Sequence, residues 1–535
     1  MKIALVTTPW SSRSGIADYT RHLLPYLREG AQVDLYVEVG REGEECGGEV
    51  LRSVAELQPR AYDQILYQLG NEAQHAFMVP LVRGLGGTVM LHDWVLFDLS
   101  MSAHSALQRG GLRGATRAYQ EGGVAQLCTW WKAKRRVQHA ANGWFTGEES
   151  GRWSSGRAVL PVQGRSALRL ALHVPDGREW SVVQGQSVLH SSAQAGDQAC
   201  ELKLDGNSQL PIELCVKGAT AVRGDRRVLG VFLRSAEEQV EGCWRQMDLT
   251  RLSGVGDVGV SRSRFELPFN HSIIRHADAF LVHSDVLGER ILVSRNAATP
   301  IARIHHGAEP RWLDTARHSA RSEIGLSEEW NECFLLASFG ALQAHKRPGV
   351  LLEALAQVRK GGVDVRLLCV GEDRPQEFDL RTAVDRLGLN NAVYVTGWMP
   401  EQDAWHALHA ADLCVNLRGP STGGTSGGAC QALSMGRAVI VSDLPELSHI
   451  PGACVVRVPQ DDRESDSLVR EIKALQSDPS RLAELEQAAR TTVTEELHWR
   501  HVAKRYLEVL TGFPRARASR RSLVVRFMHA TARQG

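Results

Sequence analysis

Two polar motifs in the first hundred residues each follow a predicted strand. Residues 67–75 read YQLGNEAQH and residues 91–94 read LHDW. Because parallel strands end at one edge of a sheet, the polar side chains of both motifs are expected to lie close together. They are Asn71, His75, His92 and Asp93. Titratable side chains grouped in this way are typical of a reaction site, although a single histidine is more often structural.

A lysine and three glycines mark strand ends in a second α/β region. Three predicted strands there end in Gly340, Gly371 and Gly397, and Lys346 lies six residues beyond Gly340. Glycine at a strand end lets phosphate approach the backbone closely. A lysine in the following loop either neutralises a leaving diphosphate or belongs to a solvated surface pair.

A loop rich in glycine and hydroxyl side chains follows in the same region. Residues 417–443 read LRGPSTGGTSGGACQALSMGRAVIVSD, and a helix is predicted to begin near Gly428. Backbone N–H groups and hydroxyls at a helix N-terminus bind phosphate or sugar hydroxyls. Gly15 precedes another helix N-terminus and predicts either a similar anion site or an ordinary turn. That opening loop has neither GxGxxG nor GxxxxGK[ST], which disfavours a dinucleotide cofactor and a P-loop.

Composition excludes several classes of protein. The 535 residues include 62 Lys+Arg and 61 Asp+Glu, a net charge of +1, and 43% are hydrophobic, which excludes general disorder. A nucleic-acid binder with a basic surface is disfavoured by this balance. The ten cysteines lack CxxC spacing, so neither a zinc site nor a disulfide framework is expected. Without a signal peptide or a run of about 18 apolar residues, we predict a cytoplasmic protein.

Alternating strands and helices predict two α/β regions. The first has strands at 2–7, 33–37, 64–68 and 87–91. The second has strands at 334–340, 365–371, 392–397, 413–418 and 438–443, with helices near 348–359, 376–387, 401–410 and 428–435. Apolar strands separated by helices predict parallel, doubly wound sheets.

Short strands of alternating polarity interrupt the first region between 167 and 235 and predict an inserted all-β sandwich. Trp153 and Trp180 of this insertion are candidates either for stacking on a sugar ring or for its core. The predicted domains are an N-terminal Rossmann-like domain at 1–142 and 251–325, a β-sandwich at 143–250, a C-terminal Rossmann-like domain at 326–512 and a basic tail at 513–535.

Taken in order, the motifs resemble those of the retaining glycosyltransferases of family 4. They are SGIADYTRHL, QLGN, LHD, ADAFLVHS, IHHGAE, FGALQAHKRP and the glycine loop followed by VIVSD, and they span about 1–135 and 265–510. The resemblance implies the GT-B fold, in which two Rossmann-like domains face a cleft. LRGPSTGGTSG with VIVSD is similar to a subgroup that acts in bacterial surface-polysaccharide and lipopolysaccharide synthesis.

The resemblance also assigns roles. It implies that a nucleotide-diphosphate sugar binds the C-terminal half, needs no metal or other cofactor, and donates its sugar to a glycan or lipid-linked glycan. The implied catalytic residues are His92, Asp93 and Lys346; the implied donor-binding residues are Gly15, Gly340, Lys346, Gly371, Thr425, Ser426, Gly427, Gly428 and Gln431; Asn71 and His75 are on the acceptor side.

The sequence departs from the family at acidic and basic positions. Relatives carry two glutamates in the C-terminal module, where this chain has Gly423, Gly424 and Gln431, and the usual arginine before Lys346 is absent. Three functions stay open: a retaining glycosyltransferase, a non-catalytic protein that binds glycans or nucleotide sugars, and an epimerase-type isomerase. The epimerase is disfavoured because it needs a carboxylate near the missing acids.

Two basic stretches suggest a location. Residues 130–136 read WWKAKRR, and the tail carries six arginines after Pro514 with no acid. Both are expected either to contact an anionic membrane peripherally or to be a solvated helix face and a disordered tail. No recognisable RNA-binding module is present, so a nucleic-acid partner is not expected.

Overall fold

The computed structural model divides the chain into two compact units. It describes residues 1–515 except 13, 45–46, 139–142, 146–150, 161, 163–165, 185–186, 206–211, 222–226, 241, 248, 250–251, 253–263, 296–297 and 375–376. The first unit comprises Met1–Gly122 and the residues from Pro268 onward, and the second comprises Gly123–Leu267. The second unit therefore begins earlier and ends later than the predicted insertion at 143–250.

In the described part of the chain, the strands are β1 (Lys2–Val6), β2 (Gln32–Val37), β3 (Leu51–Ser53), β4 (Gln64–Leu69), β5 (Thr88–Leu91), β6 (Arg152–Trp153), β7 (Arg157–Leu160), β8 (Ala167–Val174), β9 (Glu179–Gln184), β10 (Ser187–Ser192), β11 (Gly196–Lys203), β12 (Ile212–Lys217), β13 (Thr220–Ala221), β14 (Val228–Leu229), β15 (Phe232–Val240), β16 (Cys243–Gln246), β17 (Ala279–Val282), β18 (Ile301–Arg303), β19 (Phe334–Phe339), β20 (Val365–Val370), β21 (Val393–Val395), β22 (Leu413–Asn416), β23 (Val439–Ser442) and β24 (Val455–Val458).

The α-helices of the same residues are α1 (Gly15–Arg28), α2 (Met78–Leu85), α3 (Phe97–Ala103), α4 (Ser105–Arg109), α5 (Gly111–Gln138), α6 (His271–Ile274), α7 (Asp285–Arg295), α8 (Arg317–Glu323), α9 (Pro348–Lys360), α10 (Leu380–Leu387), α11 (Glu401–Ala410), α12 (Gly427–Ser434), α13 (Glu464–Ser477), α14 (Pro479–Thr492) and α15 (Trp499–Gly512). None of them is both long and apolar enough to cross a membrane.

The first unit contains two parallel sheets, as predicted. The first has the order β18-β17-β5-β4-β1-β2-β3 and the second the order β21-β20-β19-β22-β23-β24. All their paired strands run parallel. The direction of winding reverses between β1 and β4 in the first sheet and between β19 and β22 in the second. Ligands of such sheets bind beyond the carboxyl ends of the strands at these reversals.

The sequence of α1 explains why this helix begins directly after β1, at the point where the winding of the first sheet reverses. Ser14 caps the helix by accepting hydrogen bonds from the N–H groups of Ile16 and Ala17 at 3.1 and 3.4 Å. Leu23 and Leu27 on the inner side of α1 are fully buried. The cap fixes where the helix begins, and the apolar face holds it against β1 and β2.

The last helix returns to the first sheet, which corrects one predicted boundary. We predicted 326–512 as a single C-terminal domain, but Trp499 and Tyr506 of α15 belong to the same core as α1 and β1. The hydroxyl groups of Tyr19 and Tyr506 lie 2.9 Å apart and are buried. The physical reason is that the apolar face of α15 is buried against the apolar face of α1 in this core.

The second unit contains antiparallel sheets. One has the order β10-β9-β12-β7 and another the order β11-β8-β15-β16, and both contribute to one hydrophobic core. Trp180 is 1% exposed and belongs to that core, so its ring is not available for stacking on a sugar. Trp153 packs against Phe232, with ring centroids 5.2 Å apart.

Candidate functional site

Lys346 lies against Gly340, the glycine that directly follows β19. Gly340 has φ +95°, and a Cβ built on it would collide with Lys346 Nζ. A Cβ on Gly371 would lie 2.6 Å from the Gly340 carbonyl oxygen. Gly371 therefore has no room for a larger residue, and the positive φ of Gly340 strains one. Burial, followed by the charges of Arg418 and Arg374, lowers the pKa of Lys346 to about 7.

Arg418 is a second cation at this edge, and the sequence analysis missed it. It lies two residues beyond β22, where its Nη2 donates to Ser426 Oγ at 3.1 Å. Its Nε is buried and has no hydrogen-bond partner within the described residues. Burial lowers the pKa of Arg418, while Asp93 opposes this shift. The sequence signal that could have found it is an arginine at the end of the predicted strand 413–418, directly before the glycine loop.

Lys346 and Arg418 therefore meet at the reversal between β19 and β22. In the portion of the chain that is described, no carboxylate forms an ion pair with either side chain. Asp93 and Glu377 act on these cations without forming an ion pair with them. Two such cations at a strand edge favour an anionic ligand with more than one charge.

The glycine loop that follows Arg418 leads into helix α12. Ser426 is the N-cap: its Oγ accepts from the Ala429 N–H at 3.2 Å and donates to Asn416 Oδ1 at 2.6 Å. Thr425 Oγ1 lies 2.9 Å from His449 Nε2. Both predicted hydroxyls thus have protein partners, and Ser426 shapes the loop by capping the helix.

Three further predicted donor residues lie on α12. Gly427 and Gly428 begin the helix, and Gln431 is half-buried in its second turn. A Cβ on Gly428 would lie 2.9 Å from Asn416 Nδ2. Because the first N–H groups of a helix have no intrahelical acceptor, this end of α12 attracts anions.

Gly423 and Gly424 pack directly against the loop after β5. Thr422 accepts hydrogen bonds at its carbonyl from the N–H groups of Trp94 and Val95, both at 2.9 Å. Gly423 has φ +80°, and a Cβ on Gly424 would collide with the His92 carbonyl and lie 2.8 Å from Asp93 Oδ1. The position at which relatives carry an acid has no space for a side chain in this arrangement.

Asp93 connects the two sheets through that loop. Its Oδ1 accepts from the Thr422 hydroxyl at 2.8 Å and its Oδ2 from the Asn71 N–H at 3.0 Å. Burial raises the pKa of Asp93, although both hydrogen bonds oppose the shift. A carboxylate thus lies beside Gly424, supplied by the first half of the unit.

Asn71 and His75, placed on the acceptor side by sequence, both make local contacts. Asn71 Oδ1 accepts from the Asp98 N–H at 2.7 Å at the start of α3, and its Nδ2 donates to Asp98 Oδ2 at 3.0 Å. His75 is fully buried, with Nδ1 3.2 Å from the Gly70 carbonyl oxygen. Both side chains hold the turn after β4.

His92 belongs to a buried chain of imidazoles. Its Nε2 lies 2.8 Å from Gln68 Oε1, and its Nδ1 lies 3.2 Å from His283 Nε2. His283 Nδ1 lies 2.9 Å from the Ile304 carbonyl oxygen. Burial, together with the neighbouring imidazoles, holds the pKa of His92 and of His283 well below the usual value.

One assignment of neutral tautomers gives each ring nitrogen of His92 and His283 a hydrogen-bond partner. The Ile304 carbonyl only accepts, so His283 Nδ1 donates to it and its Nε2 accepts from His92 Nδ1. His92 Nε2 must then accept, which the NH₂ of Gln68 satisfies when that amide is turned over. Both nitrogens of His92 are then used within the protein, and neither is directed to a substrate.

Gly15, the remaining predicted donor residue, lies in open space. A Cβ built on it would meet no atom within 4 Å. Ser14 already accepts from the next two N–H groups of α1. Gly15 therefore leaves room for a ligand, while part of the helix terminus is satisfied by its own cap.

Ion pairs join the two halves beside the loop contact. Glu401, at the start of α11, pairs with Arg21 and with His22 Nε2, the latter at 3.1 Å. These partners lower its pKa to about 2, although burial opposes them. Arg290 on α7 pairs with the buried Glu446 at 3.0 Å. Among the residues that the structure describes, no three His, Cys, Asp or Glu side chains form a metal-binding group.

Comparisons with known proteins agree with this architecture. Residues 334–478 match the family model of the group 1 glycosyl transferases. No curated protein matches the sequence of the chain.

Three solved structures are similar. Sucrose-phosphate synthase from Thermosynechococcus elongatus is 15% identical, with 96% of this chain and 98% of that chain covered and a TM-score of 0.51. Anabaena HepE in complex with UDP-glucose is 18% identical over 47% of this chain and 68% of that chain, with a TM-score of 0.40. WaaG, a glycosyltransferase involved in lipopolysaccharide biosynthesis, is 12% identical over 95% and 100%, with a TM-score of 0.44.

The likeness to sucrose-phosphate synthase shows a shared fold, and the family match adds the class of one domain. That domain contains the second parallel sheet, Lys346, Arg418 and the glycine loop. Residues 334–478 of this chain are therefore similar to a glycosyl transferase group 1 domain.

Proposed function

We propose that the protein is a retaining family 4 glycosyltransferase that moves a hexose from a nucleotide-diphosphate donor to a glycan or lipid-linked glycan during cell-surface polysaccharide synthesis. The observation that carries the proposal is the meeting of Lys346 and Arg418 beside Gly340 and the N-terminus of α12. Two cations, a bare backbone and a helix N-terminus match the charge and shape of a diphosphate.

The proposed chemistry depends on the departure of the nucleoside diphosphate. Lys346 and Arg418 neutralise the negative charge that grows on the leaving phosphate as the glycosidic bond breaks. The first N–H groups of α12 add a partial positive charge in the same place. The acceptor hydroxyl attacks the face that the diphosphate leaves, which retains the configuration.

Asp93 is the proposed carboxylate on the sugar side. It lies beside Gly424, so the first half of the unit supplies an acid where the second half has none. His92 is assigned instead to the buried imidazole chain. We propose no catalytic metal and no cofactor beyond the donor, so that activity persists in EDTA.

The remaining parts of the proposal concern the surroundings of the site. The second unit is proposed to be the predicted β-sandwich insertion, and the enzyme is proposed to work at the cytoplasmic face of a membrane. The basic stretch 130–136 is described only through Lys132 for its side chains, and residues 516–535 of the basic tail lie outside the described residues.

A non-catalytic nucleotide-sugar or glycan binding protein is the second candidate. The observation that favours it is the packing of Gly423 and Gly424 against Trp94 and His92, which leaves no room for the acids of relatives. Binding without turnover would be its signature.

A panel of nucleoside diphosphates and nucleotide sugars tests both candidates. Binding is measured by calorimetry, and release of free nucleoside diphosphate is measured with and without glycan acceptors. UDP-glucose, which Anabaena HepE binds, is the first donor to try. We expect K346A and R418A each to weaken nucleotide binding at least tenfold, while R386A, at an exposed arginine, leaves it unchanged.

The outcomes separate the candidates. Acceptor-dependent release that D93N reduces without weakening nucleotide binding supports transfer. Tight binding with no release under any acceptor supports the binding protein. Unchanged affinity in both K346A and R418A contradicts the assignment of the diphosphate site.

A further inference from the structure

A cavity of about 430 Å³ lies in the first unit where α15 runs beside the edge strand β18. Two of its lining residues, Ile304 and Val502, are apolar and buried. The other side chains that matter here are polar: Asp285, Arg303, His305, Glu496, His501 and Arg505. Protein sites for small molecules commonly have volumes of about 300–1,000 Å³. The cavity is therefore large enough to hold a small molecule.

Backbone hydrogen bonds fix both sides of this cavity. On the side of the sheet, Ile304 donates its N–H to the Val282 carbonyl at 2.8 Å. On the other side, α14 and α15 are joined by a π-helical turn, Val493–Leu497, whose first and last side chains are buried. The Leu497 carbonyl accepts from the Ala308 N–H at 2.7 Å. Turns of this kind are rare and occur frequently at functional sites, and here the turn carries Glu496.

The cavity carries hydrogen-bonding groups that the chain does not use. His305 Nδ1 is buried and has no hydrogen-bond partner within the described residues. The exposed Glu496 carboxylate forms neither an ion pair nor a hydrogen bond in the same part of the chain. His501 Nδ1 lies 2.8 Å from the Glu495 carbonyl oxygen and donates to it, which leaves Nε2 of the neutral imidazole to accept. Such groups favour a ligand that supplies several hydrogen bonds.

The charges around the cavity balance. Its lining has two arginines and two carboxylates, and Arg303 Nη1 pairs with Asp285 Oδ2 at 2.7 Å. Burial, followed by the charge of Arg303, lowers the pKa of His305, so its imidazole is neutral at pH 7. A phosphate prefers a group of cations without acids, and a neutral imidazole does not compensate its charge. The balance therefore favours a neutral polar ligand.

We propose that this cavity, the β18–α15 cavity, binds a neutral carbohydrate of the size of a mono- or disaccharide. A sugar hydroxyl both donates and accepts, so it satisfies an imidazole in either tautomer. Neighbouring hydroxyls on a sugar ring match the two oxygens of the Glu496 carboxylate and the N–H fork of Arg505. The inference concerns a second site and does not depend on the proposed transfer reaction.

Other classes of ligand fit this cavity less well. A nucleobase stacks on aromatic faces, and the lining has no phenyl, phenol or indole ring. A metal ion needs several close ligands, and the described residues contain no group of three His, Cys, Asp or Glu side chains that could hold one. A carbohydrate needs neither feature.

The cavity is separate from the proposed diphosphate site. Neither Lys346 nor Arg418 lines it. The nearest connection runs through imidazoles, since the rings of His305 and His449 have centroids 6.1 Å apart and His449 Nε2 lies 2.9 Å from Thr425 Oγ1. Occupation of the cavity therefore leaves the diphosphate position free, and the two sites can be measured independently.

Saturation-transfer NMR of the full chain with free sugars tests the proposal. The probes are glucose, galactose, mannose and N-acetylglucosamine, the disaccharides maltose and diacetylchitobiose, and inorganic phosphate for comparison. We expect at least one sugar to bind and phosphate not to compete with it. E496A/H501A should weaken that binding at least tenfold, because two hydrogen-bond acceptors are lost. R505A should weaken it as well.

A matched variant removes the same groups elsewhere. E484A/H318A replaces an exposed glutamate and an exposed histidine outside the cavity and should bind the sugar as the unaltered protein does. The three altered residues of the cavity are exposed, so E496A/H501A and R505A should unfold at the temperature of the unaltered protein. Tighter binding of a disaccharide than of its monosaccharide indicates a unit of a longer glycan, and equal binding indicates a free sugar. Both results support the proposal.

Four results would overturn the proposal. They are no binding by any sugar of the panel, equal sugar binding in E496A/H501A and the unaltered protein, displacement of the sugar by phosphate, and loss of sugar binding in K346A, which would place the sugar in the donor site. Binding of UDP-glucose is measured on the same variants and should not change in E496A/H501A. Sugar binding in the cavity without nucleotide binding would reject the proposed transferase alone, and the reverse would reject this inference alone.

Discussion

At the scale of single residues, burial of Lys346 lowers the pKa of its ammonium group. The pKa of about 7 means that the free protein carries this side chain partly neutral near neutral pH. Burial disfavours the charged form when no anion is present. In the proposed complex, the donor diphosphate supplies a counter-ion and thereby favours the charged form of Lys346.

We expect nucleoside diphosphate binding at pH 7 to take up about half a proton through Lys346. The sign follows from a pKa that rises on binding, so affinity falls as pH rises through 7. Calorimetry in buffers of different ionisation enthalpy measures the uptake. K346R should lose it, since arginine stays charged, and equal uptake in K346R would assign the proton to another group.

His92 illustrates the opposite case, a titratable residue whose burial serves the fold. The family resemblance implies a catalytic role for it, and that role stays a prediction. The structure places both its nitrogens against Gln68 and His283, the latter 191 residues away in sequence. We expect H92Q to lower the thermal stability of the protein and to leave its nucleotide affinity within twofold of the unaltered value. A large loss of affinity without loss of stability would instead show that His92 contributes to nucleotide binding.

The buried imidazoles also predict acid sensitivity. Burial lowers the pKa of His306 and of His449 to about 4. Because these pKa values are depressed relative to about 6.5 in the unfolded chain, their contribution is complete above pH 6.5 and is lost as pH falls to 4. Urea unfolding should show a loss on the order of 3 kcal/mol per imidazole over that range. H449Q should weaken the dependence of the free energy of unfolding on pH. An unchanged pH dependence would show that His449 is not a source of the acid sensitivity.

At the scale of elements, the loop between β22 and α12 is shaped by contact with the other sheet. Thr422 binds the backbone of Trp94 and Val95, and Gly424 touches His92. The missing side chain at 424 is therefore part of a junction between the two halves. A residue with a Cβ there must push the loops apart.

We expect G424A to destabilise the protein by about 1–3 kcal/mol because its methyl group collides with the His92 carbonyl. G452A is the matched control, since a Cβ there meets nothing within 4 Å. Thermal and urea unfolding measure both. Equal stability of G424A and G452A would show that the junction opens freely.

Most elements could be predicted because apolar runs of four to six residues alternate with amphipathic helices. Short edge strands such as β3 and β18 escaped, since three residues carry little periodicity. Lys346 and the glycines at the strand ends could be singled out from local sequence, and their role in donor binding stays a prediction. The position of Arg418 beside Ser426 and the contacts of His92 could not be predicted, because they join segments far apart in the chain.

At the scale of the whole first unit, ion pairs of Glu401 and Glu446 join the two sheet halves in addition to the loop junction. Helix α15 adds a connection that runs from the second sheet back to the first. The first sheet is thus completed by the last helix of the chain.

We expect Y506A to destabilise the protein by about 3–5 kcal/mol, as for other large buried aromatic residues. Its hydroxyl contact with Tyr19 places the effect in the first half. Hydrogen exchange should therefore rise in α1 and β1 before it rises in β19. L292A, at an exposed position, should change neither the stability nor the order of hydrogen exchange. Loss of protection first in β19 would contradict the packing of α15 on the first half.

The return of α15 has a consequence for the order of synthesis. The apolar face of α1 that Trp499 and Tyr506 cover stays open to water until residue 512 has been made. From residue 310 this takes roughly 10–40 s at 5–20 residues per second. During that interval we expect the nascent first half to expose apolar surface that favours aggregation, as a chain truncated before α15 would do permanently.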